Sequence, residues 1–424
     1  MEKIYYPALS ETVFRQVLPN GLTIIVVPRP GFTRKLAYFV TDFGAIHTEF
    51  TVNGEACRVP AGVAHYLEHK LFDMPDRDVT AEFAALGASP NAFTSYDMTA
   101  YYFSCTQNFR ENLQLLLEYV STPYFTEESV QKEQGIIGQE IGMNEDSPDT
   151  RVFEDMMSAM YREHPIRVPI LGWRETIAQI TPEVLHTCHK AFYRPGNMLL
   201  CVVGDVDPEE VSALAQEILP ETDDTVVEIA ETWAEDMTCA ESYVERTMEI
   251  AMPMFQLAFK CEPPENGDEA VKAEAIGDLA AEALFGESSP LYLRLYEEGL
   301  IDTSFGGGYE TVDGMAMLNA SGDSDDPKAV RDAILQEAER LIRDGIPEED
   351  FLRMKRSALG RRIRDLDSFD STAFRVCAYH FSDFDYFRFP EIYRTVEEKD
   401  VREFIQQVIT PQRCCLSVIN PKEE

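Results

Sequence analysis

An α+β chain built from two similar domains is predicted by three observations. Strand-like runs alternate with helix-like runs, the second half repeats the plan of the first, and 424 residues exceed one ordinary domain. The elements follow in order. Leu18-Pro19-Asn20-Gly21-Leu22 carries an Asn-Gly turn, and the β-branched run Thr23 to Val27 after it reads as the return strand of a hairpin. Leu36 to Thr41 reads as another strand. A helix is expected over about residues 60–74, starting near Pro60. Thr80 to Leu86 has helical composition, and Asn91 to Ser104 reads as two strands joined at Tyr96-Asp97. Asn108 to Val120 has apolar residues at helical spacing. Phe125 to Met143 is a further helix, with Thr126 as its N-cap and Glu128 in the first turn.

The plan then recurs. Phe305 to Gly322 mirrors the strand pair, Lys328 to Ile342 the long helix, and Ile346-Pro347-Glu348-Glu349 the start of the next helix, which continues to about Arg364. The expected boundaries are 1–220 for a first domain, 221–245 for an acidic linker or edge region, and 246–424 for a second domain without metal ligands.

Composition narrows the function. There are 37 Lys and Arg against 75 Asp and Glu, a net charge of −38. Nucleic acid and anionic membrane surfaces are therefore excluded as partners, since both need clustered cations. No apolar run is long enough to span a bilayer, and the opening MEKIYYPALSETVF is not a basic segment followed by an apolar one, so no secretory signal is expected. Nine scattered cysteines, with no C-x-x-C pair, read as buried thiols of a reduced, cytoplasmic protein.

The chemistry gathers at His65-Tyr66-Leu67-Glu68-His69. Four-residue spacing on a helix puts both imidazoles on one face, where they can share one metal ion, and Glu68 lies on the same face as a general base for a metal-held water. H-x-x-E-H is the inverted form of the zinc-peptidase helix motif. A catalytic zinc needs a third protein ligand. Glu140 is the candidate, 71 residues after His69, and Glu133, two helical turns earlier on the same face, is its supporting carboxylate. In the second copy these two positions are Met354 and Arg361, and no H-x-x-E-H occurs. His186, Cys188 and His189 read as part of a surface or groove-lining helix, with a second metal site as the alternative.

These residues resemble the pitrilysin (insulinase) family of zinc metallopeptidases, in particular the short bacterial and mitochondrial-processing-peptidase-like members. The resemblance is carried by Leu18 to Leu22, Gly62 to Phe72, Asn91-Ala92-Phe93-Thr94 with Thr99 to Phe103, Glu133 with Glu140, His164-Pro165, Leu171-Gly172, Tyr193 to Met198 and Gly204 to Pro208. It implies two homologous α/β-sandwich domains of the LuxS/processing-peptidase type, each a mostly antiparallel sheet with helices packed on one face. It implies one zinc ion per chain on His65, His69 and Glu140, with Glu68 and Glu133 completing the catalytic set. It also implies that an extended peptide adds to the edge strand Asn91, Ala92, Phe93, Thr94 as an extra strand.

One departure matters. Family members that supply the other half of the active site carry an Arg and a Tyr in the segment matching Ser288 to Asp302. Here Tyr296 and Asp302 stand at those positions. The expectation is a zinc metalloendopeptidase that cleaves peptides or processes a precursor, as the zinc-bearing subunit of a heterodimer whose homologous partner lacks zinc. The alternatives are a non-catalytic binding or assembly subunit, and a metal-dependent hydrolase of another bond.

Overall fold

A computed structural model of the protein describes residues 1–75, 77–221, 225–229 and 233–422. The chain forms two compact units that are not contiguous in sequence. The first comprises residues 1–141, 169–230 and 363–387, and the second 142–168, 231–362 and 388–424.

The first unit is built on a seven-stranded sheet. Its strands are β1 (Glu2–Tyr6), β2 (Glu11–Val17), β3 (Thr23–Pro28), β4 (Lys35–Thr41), β5 (Ala88–Thr94), β6 (Thr99–Cys105) and β7 (Met198–Gly204), in the spatial order β1-β2-β3-β7-β4-β6-β5. Only β3 and β7 run parallel. The β2–β3 hairpin closes where expected, with Leu18 N–H donating to Leu22 O at 2.8 Å. On one face lie helices α1 (Val63–Leu71), α2 (Phe109–Ser121) and α3 (Glu127–Glu145). The core side chains on that face include Phe39, Tyr101, Phe103, Leu200 and Val202.

α1 is shorter than the predicted 60–74. Gly62 holds a φ of +91°, which turns the chain into the helix, and Phe72 already leads into a short strand at Asp73–Met74. The Gly62 position also demands glycine sterically, because a Cβ there would lie 2.4 Å from Leu171 O. α3 is capped as expected. Thr126 Oγ1 accepts from Ser129 N–H, and Ser129 Oγ accepts from Thr126 N–H, so two otherwise orphaned donors are satisfied reciprocally.

Later in sequence come α4 (Pro148–Met160), α5 (Pro182–Phe192) and α6 (Pro208–Ile218). The sheet of the second unit consists of β8 (Tyr243–Met248), β9 (Met254–Cys261), β10 (Gly306–Val312), β11 (Met315–Asp323) and β12 (Cys414–Pro421), in the order β8-β12-β9-β11-β10. Its helices include α7 (Asp268–Phe285), α8 (Pro290–Glu297), α9 (Pro327–Asp344) and α10 (Glu348–Arg364). This order reproduces β3-β7-β4-β6-β5, including the single parallel pair, here β8 with β12. The repeat read from the sequence is therefore a repeat of topology.

One feature was not read from the sequence. α11 (Phe369–Phe381), from late in the chain, packs on β4 and β7 within the first unit, and α4 packs on β12, β9 and β8 within the second. β4 and β7 are consequently covered on both faces, which explains why both are apolar almost throughout rather than alternating. Of the expected linker, Val227–Ile229 pairs with Glu49–Val52 and β8 is a strand, while residues 222–224 and 230–232 lie outside the described residues.

Candidate metal centre and edge strand

The predicted ligands come together in the first unit. α1 presents His65 and His69 one turn apart, with ring centroids 4.6 Å from each other. α3 brings Glu140 to face them: Glu140 Oε2 is 3.7 Å from His65 Nε2 and 3.5 Å from His69 Nε2. Donors bound at about 2.1 Å around a tetrahedral zinc stand about 3.4 Å apart, so this spacing fits one ion with two nitrogen donors and one oxygen.

Protonation supports the same set. His65 is buried, and burial together with the neighbouring His69 holds its pKa at about 3, so the ring is neutral and the Nε2 lone pair is free to bind. Its Nδ1 is buried and has no hydrogen-bond partner among the described residues. His69 is held differently. Its Nδ1 lies 3.0 Å from Glu133 Oε1, which fixes the tautomer with Nδ1–H donating and Nε2 turned to the cluster. Burial alone would lower the His69 pKa, but the hydrogen bond and charge of Glu133, with the charges of Glu68 and Glu140, raise it. Glu133 thus sits behind His69 rather than at the cluster.

Glu68 lies next to the ligands. Burial pushes its carboxyl above the usual range and Glu140 adds to the rise, while a hydrogen bond from Thr94 and the charge of His69 pull the other way. Thr94 Oγ1 donates to Glu68 Oε2 at 2.7 Å. On its inner side α1 meets three buried tyrosines, Tyr101, Tyr119 and Tyr193, of which Tyr101 and Tyr193 hydrogen-bond to each other at 2.9 Å. Neither the Thr94 bond nor this aromatic backing was predicted. The alternation of β5, which puts Ala92 and Thr94 on one face, was the available signal for Thr94.

β5 is the sheet edge next to β6, and its far side carries no strand among the described residues. Asn91, Ala92, Phe93 and Thr94 occupy its second half. The Ala92 amide donates to Asn91 Oδ1 at 2.9 Å in an exposed contact, so this N–H faces outward rather than into the ladder. Two residues earlier, the same outward direction falls on Pro90, which has no N–H to offer.

Two other histidines, His189 and His164, are held by contacts with their surroundings. His189 is buried, bonds Val120 O at 3.0 Å and stacks on Tyr193. No ligand group forms around His186, Cys188 and His189 among the described residues. In the second unit, His164 Nδ1 accepts from Ile166 N–H, so Nε2 carries the proton and donates to Asp313 O at 3.0 Å. The segment with Tyr296 and Asp302 also lies in this unit. Tyr296 is half exposed and stacks on Tyr292 in α8, and Asp302 accepts from Ser304.

The chain is similar to known proteins over its full length. Residues 58–173 match a family model described as insulinase (peptidase family M16), and residues 179–358 one described as the peptidase M16 inactive domain. An uncharacterised zinc protease of Bacillus subtilis, YmfH, is 36% identical over 430 residues, covering all of both chains. Among solved structures, an M16-like peptidase of Alicyclobacillus acidocaldarius is 30% identical with a TM-score of 0.93, over 97% of this chain and 98% of that one. The periplasmic protease PqqL of Escherichia coli shares the fold at 19% identity and a TM-score of 0.72, over 99% of this chain and 48% of that one.

Proposed function

The chain belongs to the insulinase family of peptidases, family M16, and from that premise we propose that it is a zinc-dependent endopeptidase. The observation that carries this reading is the convergence of His65, His69 and Glu140 donor atoms beside the partly buried carboxylate of Glu68. One zinc ion per chain on those three residues would supply a Lewis acid that lowers the pKa of a water toward about 7 and polarises the scissile carbonyl. Glu68 is the general base: it takes the proton of the attacking water and returns it to the leaving amine. Glu133 holds the His69 ring in its ligating tautomer. The substrate is an extended peptide laid along β5, its main chain replacing Asn91 Oδ1 on the Ala92 amide.

The catalytic half is the region 1–220, and the region 246–424 serves as its metal-free counterpart. With Tyr296 and Asp302 where relatives carry an Arg and a Tyr, the chain works with a homologous partner that supplies those donors. The same fold spans 48% of PqqL, so it also occurs as one part of a longer chain. Nine cysteines outside any disulfide favour a reducing compartment, the cytoplasm. A second reading, a non-catalytic binding subunit, is favoured by the match of residues 179–358 to a model described as an inactive domain.

The test measures zinc content and peptide cleavage of the purified chain, alone and with a candidate partner, beside Glu68→Gln. The peptidase reading expects one zinc in both forms and cleavage only with Glu68 intact. Zinc without cleavage under any pairing favours the binding subunit, and absence of zinc removes the central claim.

A further inference from the structure

We infer that Thr94 is a positioning residue for the general base, and that β5 couples the seating of a peptide to the orientation of Glu68. The inference rests on the peptidase reading above. Thr94 provides the one side-chain hydrogen bond that Glu68 makes among the described residues, Oγ1 to Oε2 at 2.7 Å. The buried tyrosines behind α1 do not substitute for it: Tyr101 and Tyr193 are committed to each other, and Tyr119 Oη has no hydrogen-bond partner among the described residues. With Oε2 held, the second oxygen of Glu68 is left to face a water.

Thr94 is well placed to hold a carboxylate still. Its β-branched side chain is stiff at χ1. Its main chain is fixed opposite Thr99, whose own hydroxyl donates to Phe43 O at 2.8 Å in the interior. The hairpin closes immediately after it, with Ser95 N–H donating to Met98 O at 2.8 Å. The outward Ala92 amide lies two residues earlier on the same strand. A peptide that adds to this edge converts an edge strand into an interior one, and the stiffening reaches Thr94 and through it the base.

The experiment compares Thr94→Val, which keeps the shape and removes the donor, with Thr94→Ser, which keeps the donor. Metal content, kcat, KM and crystal structures are measured for both. Thr94→Val should keep its zinc and its KM and lose about tenfold in kcat, which corresponds to about 1.4 kcal/mol for one charge-assisted hydrogen bond. Thr94→Ser should recover most of that loss. In the Thr94→Val crystal structure the Glu68 carboxylate should leave its place. An undiminished kcat, a rise in KM alone, or a Glu68 that stays put would overturn the inference even if Glu68→Gln is inactive. If the wild-type chain cleaves nothing, the peptidase reading fails, and the position of Glu68 in the two crystal structures still decides the role of Thr94.

Discussion

The two units place a helix after the same central strand and bring a second helix against it, yet they fill the space between those helices differently. In the first, α1 and α3 contribute two imidazoles and two carboxylates, His65, His69, Glu133 and Glu140, with Glu68 beside them and no Lys or Arg paired to the cluster among the described residues. In the second, the carboxylates stand on α7 and their cations are built into α10. Arg362 donates to Glu274 at 2.8 Å and to Tyr393 Oη at 2.8 Å, and Arg361 donates to Glu282 at 3.0 Å. Arg361 is the residue that the repeat aligns with Glu140. One copy of the duplicated scaffold therefore carries its positive charge covalently, and on the peptidase reading proposed above the other presents a donor set that would take a cation from outside. On that reading the chemistry would follow from the difference, because a bound metal would have a position left for a reacting water whereas a guanidinium has none.

Removing the proposed acidic ligand, Glu140, tests the first half of this contrast and should give the largest effect. Glu140→Ala leaves only the two imidazoles. Its zinc affinity should fall by more than about 100-fold, beyond the 10- to 100-fold loss usual for an outer partner of a ligand. Equilibrium dialysis with zinc measures this directly, and affinity near that of the wild type would mean that another group is the third ligand.

The second half of the contrast is a matter of stability. Arg362 is buried, its side chain 4% exposed, and Arg362→Met removes the guanidinium paired with Glu274. Breaking a buried pair on one side costs about 3 kcal/mol, so thermal unfolding should shift to clearly lower temperature. Zinc content should be unchanged, since none of the proposed metal ligands is touched. A variant with lost zinc and unchanged melting would invert the roles assigned to the two helix pairs.

Much of this was legible in the sequence because it is local. Spacing by four put His65 and His69 together, spacing by seven put Glu133 and Glu140 on one face, and the Asn-Gly turn marked the β2–β3 hairpin. The pairing of Phe305 to Gly322 with the earlier strand pair disclosed the duplicated topology. What stayed hidden depends on contacts between distant segments. Nothing local in Phe369–Phe381 says that it covers β4 and β7, more than 160 residues earlier in the case of β7. The Thr94–Glu68 bond joins a strand to a helix 26 residues away, and its existence depends on the register of β5 on β6. The start of α1 at Val63 was likewise set by the close approach of Gly62 to Leu171, which no propensity reports.

The smallest predicted effect concerns pH and belongs to the second unit, where a buried charge is again met by protein groups. Lys260 Nζ lies 2.9 Å from Glu235 and within 4.3 Å of the centre of the Tyr161 ring. Burial by itself would raise the Glu235 pKa. The amide of His164 at 2.8 Å, the amide of Glu163 and the Lys260 ammonium outweigh it and hold the carboxyl down at about 2. In an unfolded chain the same carboxyl titrates near 4.5. A depressed folded-state pKa means that the unfolded chain binds the proton first. The stabilisation is thus fully present above about pH 4.5 and drains away as pH falls toward 2. Glu235→Gln removes the titration, so the acid-unfolding curves of variant and wild type should converge as pH drops through that window and separate above it, the wild type being the more stable. Curves that stay parallel across the window would show that Glu235 titrates alike in both states.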